Sequence, residues 1–100
     1  MKVLIKAPNN GAIEADIPNT LKALQGWVNG YIEVVKFEPE WGVICNENGY
    51  TKGFPKNIWV EGTVFFGTII FVGFGKNEDG EDDFADCPLT KAELLEVIGE

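Results

Sequence analysis

"TVFFGTIIFVGF", running from Thr63 to Phe74, is the stretch whose reading decides the fold. It is nearly continuous in apolar residues, heavily β-branched and aromatic, which is how a strand covered on both faces reads. It therefore belongs at the centre of a sheet. The longest apolar run within it, Val64 to Val72, contains Gly67 and Thr68 and falls far short of the ~20 residues a membrane-spanning helix needs. A chain of 100 residues supports one core, so residues 1–100 form a single domain.

On the N-terminal side, apolar segments at Val3–Lys6 and Ala12–Ile17 flank Asn10-Gly11, a pair suited to a tight hairpin turn. A short amphipathic helix follows. Asn19 or Thr20 can cap it, Leu21, Leu24 and Val28 share one face, and Gly30 suits a left-handed end. "YIEVVKF" (Tyr31–Phe37) and "WGVIC" (Trp41–Cys45) read as strands, and Asn48-Gly49 as a turn. "YTKGFPKNIWV" (Tyr50–Val60) is broken by Gly53 and Pro55 and reads as a structured loop ending in a short strand. Near the C-terminus, Thr90 and Glu93 form a T-x-x-E capping box with Leu89 and Leu94 as a hydrophobic staple, which predicts a helix. The whole is an α+β domain: a small, mostly antiparallel sheet with an N-terminal β-hairpin, one helix after it and a C-terminal helix packed on the sheet.

Composition narrows the chemistry. The chain has no His, Arg or Ser, and so lacks the usual general base, the bidentate phosphate clamp and the commonest hydroxyl nucleophile. The reading is a protein that is not an enzyme, with no catalytic residue, metal or cofactor. All eight cations are Lys against sixteen carboxylates, and the net charge of -8 repels nucleic acid directly. Only Cys45 and Cys87 are present, too few for a disulfide framework, and no signal segment or membrane span is recognisable, so the cytoplasm is the expected location.

"GKNEDGEDDFAD" (Gly75–Asp86) gathers Glu78, Asp79, Glu81, Asp82, Asp83 and Asp86 around an Asp79-Gly80 turn. Aligned as a calcium loop with Gly80 at the sixth position, it lacks the first ligand, since Gly75 stands there, and it has Asp86 where the bidentate Glu belongs. It reads as a hydrated loop between strand and helix, at most an auxiliary acidic contact or part of a phosphate-like decoy surface. "GFGK" fits neither a Walker loop nor a dinucleotide fingerprint. Cys87 precedes a helix start, but its acidic neighbours oppose a thiolate and no His is available to it.

The aromatic residues offer more. Three Trp, two Tyr and seven Phe exceed what a small core needs. Trp41, Tyr50, Phe54 and Trp59 lie beside loop signals and are candidates for an exposed anchor cluster, with Lys52, Lys56 and Asn57 as its polar rim and the partner-binding loop running from Asn46 to Trp59. The same chemistry suits a nucleotide, with lysines as point charges on phosphate. An unpaired sheet edge leaves a homodimer open.

"IPNTLKALQGWVNGYIEVV" (Ile17–Val35) and "CNENGYTKGFPKNIWVEGTVFFGTIIFVG" (Cys45–Gly73) resemble domain of unknown function family 3846, small proteins of phages, prophages and conjugative elements. The resemblance covers roughly Met1 to Gly73, and Ile58 stands where that family usually carries Arg. It implies context and no chemistry: an accessory protein of a mobile element. The expected function is counter-defence, by binding a host protein such as a CRISPR or restriction nuclease. Sequestration of a small nucleotide and acidic DNA mimicry are the alternatives.

Overall fold

Gly67 cuts the long apolar stretch in two. The computed structural model describes residues 1–99. In it the elements run β1 (Lys2–Lys6), β2 (Ile13–Asp16), α1 (Leu21–Val28), β3 (Ile32–Glu38), β4 (Trp41–Asn46), β5 (Lys56–Val60), β6 (Thr63–Phe66), β7 (Ile69–Lys76), β8 (Asp82–Ala85), α2 (Lys91–Val97) and β9 (Ile98–Gly99). Gly67 takes φ 81°, and a Cβ there would meet the Phe54 ring at 2.7 Å, so the residue serves both the turn and the packing. The single strand expected from Thr63 to Phe74 is thus two strands in two sheets. Its second half, β7, does lie in the middle of the larger sheet, ordered β2-β1-β7-β4-β3 with β8 also on β7. All strand pairs are antiparallel, and the domain is α+β.

Alternation along β7 separates two cores. Ile69 and Phe71 face the smaller sheet, β6-β5-β9, where they join Leu4, Trp41, Val43, Ile58, Val60, Phe65 and Leu94 of α2. Ile70 and Val72 face the opposite way and join Val3, Ile5, Ile17, Ile44 and the Leu24 and Val28 side chains of α1. Phe71, Ile69, Ile70 and Val72 are fully buried, each worth about 1.5–3 kcal/mol of transfer free energy. No described helix is long and apolar enough to cross a membrane.

Two strands share one side of β7. β1 pairs residues up to Phe71, and β8 takes over from Gly73. The join is made by the Lys2 N–H donating to Asp86 Oδ1 at 2.7 Å and the Cys87 N–H donating to the Lys2 carbonyl at 2.8 Å. The chain passes so close here that a Cβ on Gly73 would lie 2.1 Å from the Asp86 carbonyl oxygen.

Local expectations are refined in four places. The first hairpin turns at Ala7–Asn10, with Pro8 second and Asn9 third at φ 65°, the pattern of a type II turn, so Asn10-Gly11 is not its centre. Thr20, not Asn19, caps α1, and Asn29 at φ 62° takes its left-handed end. Gly30 is needed for room instead, because the Asn46 carboxamide lies 2.7 Å from where its Cβ would be. Leu21 is exposed, leaving Leu24 and Val28 as the buried face of α1. The acidic run is a hairpin tip joining β7 to β8, not a loop from strand to helix; Phe84 pairs with Phe74 across it. The capping box of α2 is present as expected, and β9 follows it directly.

Two glycine substitutions test this packing in opposite directions. Gly73→Ala should destabilise by roughly 1–3 kcal/mol through overpacking. Gly26→Ala, in open space on α1, should stabilise by about 0.5–1 kcal/mol through helix propensity. A urea unfolding midpoint for Gly73→Ala that does not fall would contradict the close approach there, and one for Gly26→Ala that falls would contradict the open space on α1.

Candidate functional site

The residues expected to form one anchor cluster occupy three environments. Trp41 is inside the protein, 5% exposed, stacked on Phe37 at 5.5 Å and tilted against Phe71 at 6.4 Å. It follows a turn, but the alternation of β4 places it with Val43 and Cys45 on the face covered by the smaller sheet. It is a core residue and not an exposed anchor.

Asn46 is buried as well and is not part of an exposed binding surface. Its Nδ2 donates to the carbonyls of Val28 and Asn29 at 3.0 and 3.1 Å, and its Oδ1 accepts the Asn48 N–H at 2.8 Å. One carboxamide thereby satisfies two orphan carbonyls at the end of α1 and starts the turn after β4. The following residues continue the network. The N–H groups of Gly49, Lys52 and Phe54 donate to the carbonyls of Asn46, Asn48 and Gly49, and Thr51 Oγ1 donates to the Asn48 carbonyl. Loop 47–55 is therefore bonded to itself and to the core.

At this loop Tyr50 is 75% exposed, its ring edge-on to Phe66 at 5.1 Å. Lys52 Nζ lies 5.9 Å from the centroid of Phe54, which is half-buried against Gly67. Tyr50, Phe66 and Val64 line a shallow cleft of about 240 Å³ with Glu33 and Glu47. Phe66 and Val64 were hidden from sequence reasoning by their place in the apolar stretch. Their partial exposure follows from β6 being an edge strand of the smaller sheet.

Lys56, Asn57 and Trp59 line a different cleft, on β5 against α2. Trp59 is 38% exposed, with Lys56 Nζ 5.4 Å from its centroid. Asn57 is occupied: its Nδ2 donates to the carbonyls of Lys6 and Gly67, each at 2.8 Å, and its Oδ1 accepts from Lys6 Nζ at 2.8 Å. Lys91 and Leu95 of α2 complete this cleft. Their one-turn spacing in the capped helix was the available signal for them.

All six carboxylates of the acidic hairpin are exposed. Three are engaged in holding it: Asp82 with Lys76 at 2.5 Å, Asp83 with the Asn19 carboxamide, and Asp86 with the Lys2 N–H. The Lys76 ammonium holds the Asp82 carboxyl below its ordinary value. Asn77 Oδ1 accepts the N–H groups of Asp79 and Glu81, which fixes the tip carrying Glu78, Asp79 and Glu81.

Both cysteines are free thiols. Burial, with Glu33 alongside, pushes the Cys45 thiol up to about 12, and burial also raises Cys87. Neither supplies a thiolate at neutral pH. For Cys45 the folded state holds its proton more tightly than the unfolded state. Its contribution to stability is therefore complete below the ordinary thiol value and falls as pH rises from there towards 12. Cys45→Ala should flatten the alkaline decline in melting temperature, and an unchanged slope would show that the thiol does not control it. Asn46→Ala, which strands the buried Val28 carbonyl and the part-buried Asn29 carbonyl, should cost about 1–3 kcal/mol in urea unfolding, whereas Tyr50→Ala should stay within about 0.5 kcal/mol of the parent.

No curated protein and no solved structure matches the chain. One family does, described as Domain of unknown function (DUF3846), over residues 1–96, a span that takes in the Tyr50 cleft, the acidic hairpin, most of α2 and every residue of the β5–α2 cleft but Ile98. The chain therefore belongs to the DUF3846 family.

Proposed function

We propose that this protein performs no bond chemistry and acts by holding a host protein through loop 47–55, with Tyr50 as the central contact. The observation that carries the reading is the pairing of a 75%-exposed Tyr50 with a backbone already tied down through Asn46. A rigid aromatic side chain on a pre-ordered loop loses little entropy on docking, and Tyr is enriched among residues that dominate binding energy. Phe66 extends the apolar contact, and Lys52, Glu33 and Glu47 supply charge at its margin.

In this proposal the partner is a defence nuclease of a bacterial host, a CRISPR or restriction enzyme met in the cytoplasm, a reading supported by the mobile-element context that the family resemblance implies. A net charge of -8 would speed encounter with the basic groove by which a nuclease holds nucleic acid. The acidic hairpin serves as an auxiliary contact through Glu78, Asp79 and Glu81 at its tip. Its decoy role is secondary to the loop because Asp82, Asp83 and Asp86 are engaged in the fold.

The test is a phage-survival assay in cells carrying an active restriction or CRISPR nuclease. Expression of the protein should raise recovery of a targeted phage, and Tyr50→Ala, with its fold checked by circular dichroism, should reduce that gain at least about tenfold, the scale of a contact worth about 1.4 kcal/mol or more. Protection undiminished by Tyr50→Ala would remove this face from the function. No protection against any nuclease tested would remove the counter-defence reading.

A further inference from the structure

The cleft between β5 and α2 is electrostatically out of keeping with the rest of the molecule. Its volume is about 770 Å³, within the ~300–1,000 Å³ of small-molecule sites. Lys6, Lys56 and Lys91 line it, and among the described residues no Asp or Glu does, although the chain carries sixteen acids and eight lysines. Because charges are screened over ~8 Å at physiological ionic strength, a ligand in the cleft responds to these ammonium groups more than to acids on other faces.

The three lysines have different roles. Lys6 is buried, and Asn57 fixes its ammonium at 2.8 Å while anchoring its own carboxamide on two carbonyls. Lys56 and Lys91 are exposed, so they reach a ligand with little desolvation of their own. The cleft is also lined by Trp59, a half-exposed indole, and Leu95, 71% exposed. Asn9, in the left-handed conformation of its turn, and Asn10 also line the cleft, and their carboxamides carry donors and acceptors suited to a ring edge.

We infer that this cleft binds a nucleotide-like small molecule, with its planar ring on Trp59 and Leu95 and its phosphate between Lys56 and Lys91. Phosphate needs cations here and the chain has only lysine to offer, which acts as a point charge instead of a bidentate fork. Lys56 Nζ lies over the indole, 5.4 Å from its centroid, so a ring that takes the indole face displaces the ammonium and leaves it beside the ring, within reach of the attached phosphate. The site is separate from the Tyr50 face and goes beyond the protein-binding role. It gives the chain a capacity to hold a nucleotide out of solution.

Titration calorimetry and tryptophan fluorescence with ATP, GTP, adenosine, inorganic phosphate and a hexaglutamate peptide test this on the intact chain. At least one of the two nucleotides should bind saturably at one per chain and quench emission. Adenosine and phosphate alone should bind at least about tenfold more weakly. Lys56→Ala and Lys91→Ala should each weaken the nucleotide about tenfold, Trp59→Phe should abolish the quenching, and Lys22→Ala on α1 should change nothing. Thermal melts identify any variant that fails to fold. Tyr50→Ala should leave nucleotide binding intact, so this site and the protein-binding face fail independently. No saturable binding of either nucleotide at millimolar concentration, equal losses in Lys22→Ala and Lys56→Ala, or tighter binding of hexaglutamate than of either nucleotide would each overturn the assignment.

Discussion

The burial of β7 on both faces is the constraint from which the rest of the structure follows. A strand with apolar side chains on alternate sides must have a layer on each, and here one layer is α1 and the other is the small sheet with α2. Gly67 makes this possible in so short a chain. By turning the backbone, it lets the residues before β7 become the edge of the sheet that covers it. The closeness of Gly73 to Asp86 seals the join between β1 and β8 on one side of the strand.

That architecture decides which polar groups remain available. Asn46 and Asn57 read from sequence as partner-binding residues because Asn favours loops and surfaces. In the fold each is a strut, satisfying carbonyls that would otherwise be stranded where the layers meet. The surfaces they support are what the protein presents: an aromatic loop on one side, a lysine-lined cleft on another and an acidic hairpin at a third. The chain has no imidazole, guanidinium or seryl hydroxyl to place on them, and burial pushes both thiols up.

Much of the fold was legible because local signals and burial agreed. The Thr90–Glu93 box, the β3–β4 hairpin and the central position of β7 rest on residues whose propensity and final environment coincide. β8 was not legible, since "DDFA" has two residues that disfavour strands and is held by pairing with β7. Division of the apolar stretch at Gly67 was also hidden, because a glycine in such a run marks equally a bulge, a bend or a change of sheet. The candidate site was half legible. Exposure of Tyr50 and Trp59 followed from neighbouring turn signals, but the same signals beside Trp41 misled, as position in a sheet and not proximity to a turn decides burial. That Tyr50 and Trp59 line separate clefts depends on the packing of two sheets and α2, which no local pattern encodes.

The claim underlying this account is that loop 47–55 belongs to the rigid core although it lies at the surface. Amide hydrogen exchange resolved by residue measures this directly. The account predicts that the amides of Lys52 and Phe54, bonded within the loop, and of Gly49, bonded to the Asn46 carbonyl of β4, exchange on the slow scale of the main sheet. Exchange of these three at the rate of an unprotected chain, with β4 and β7 still protected, would contradict it.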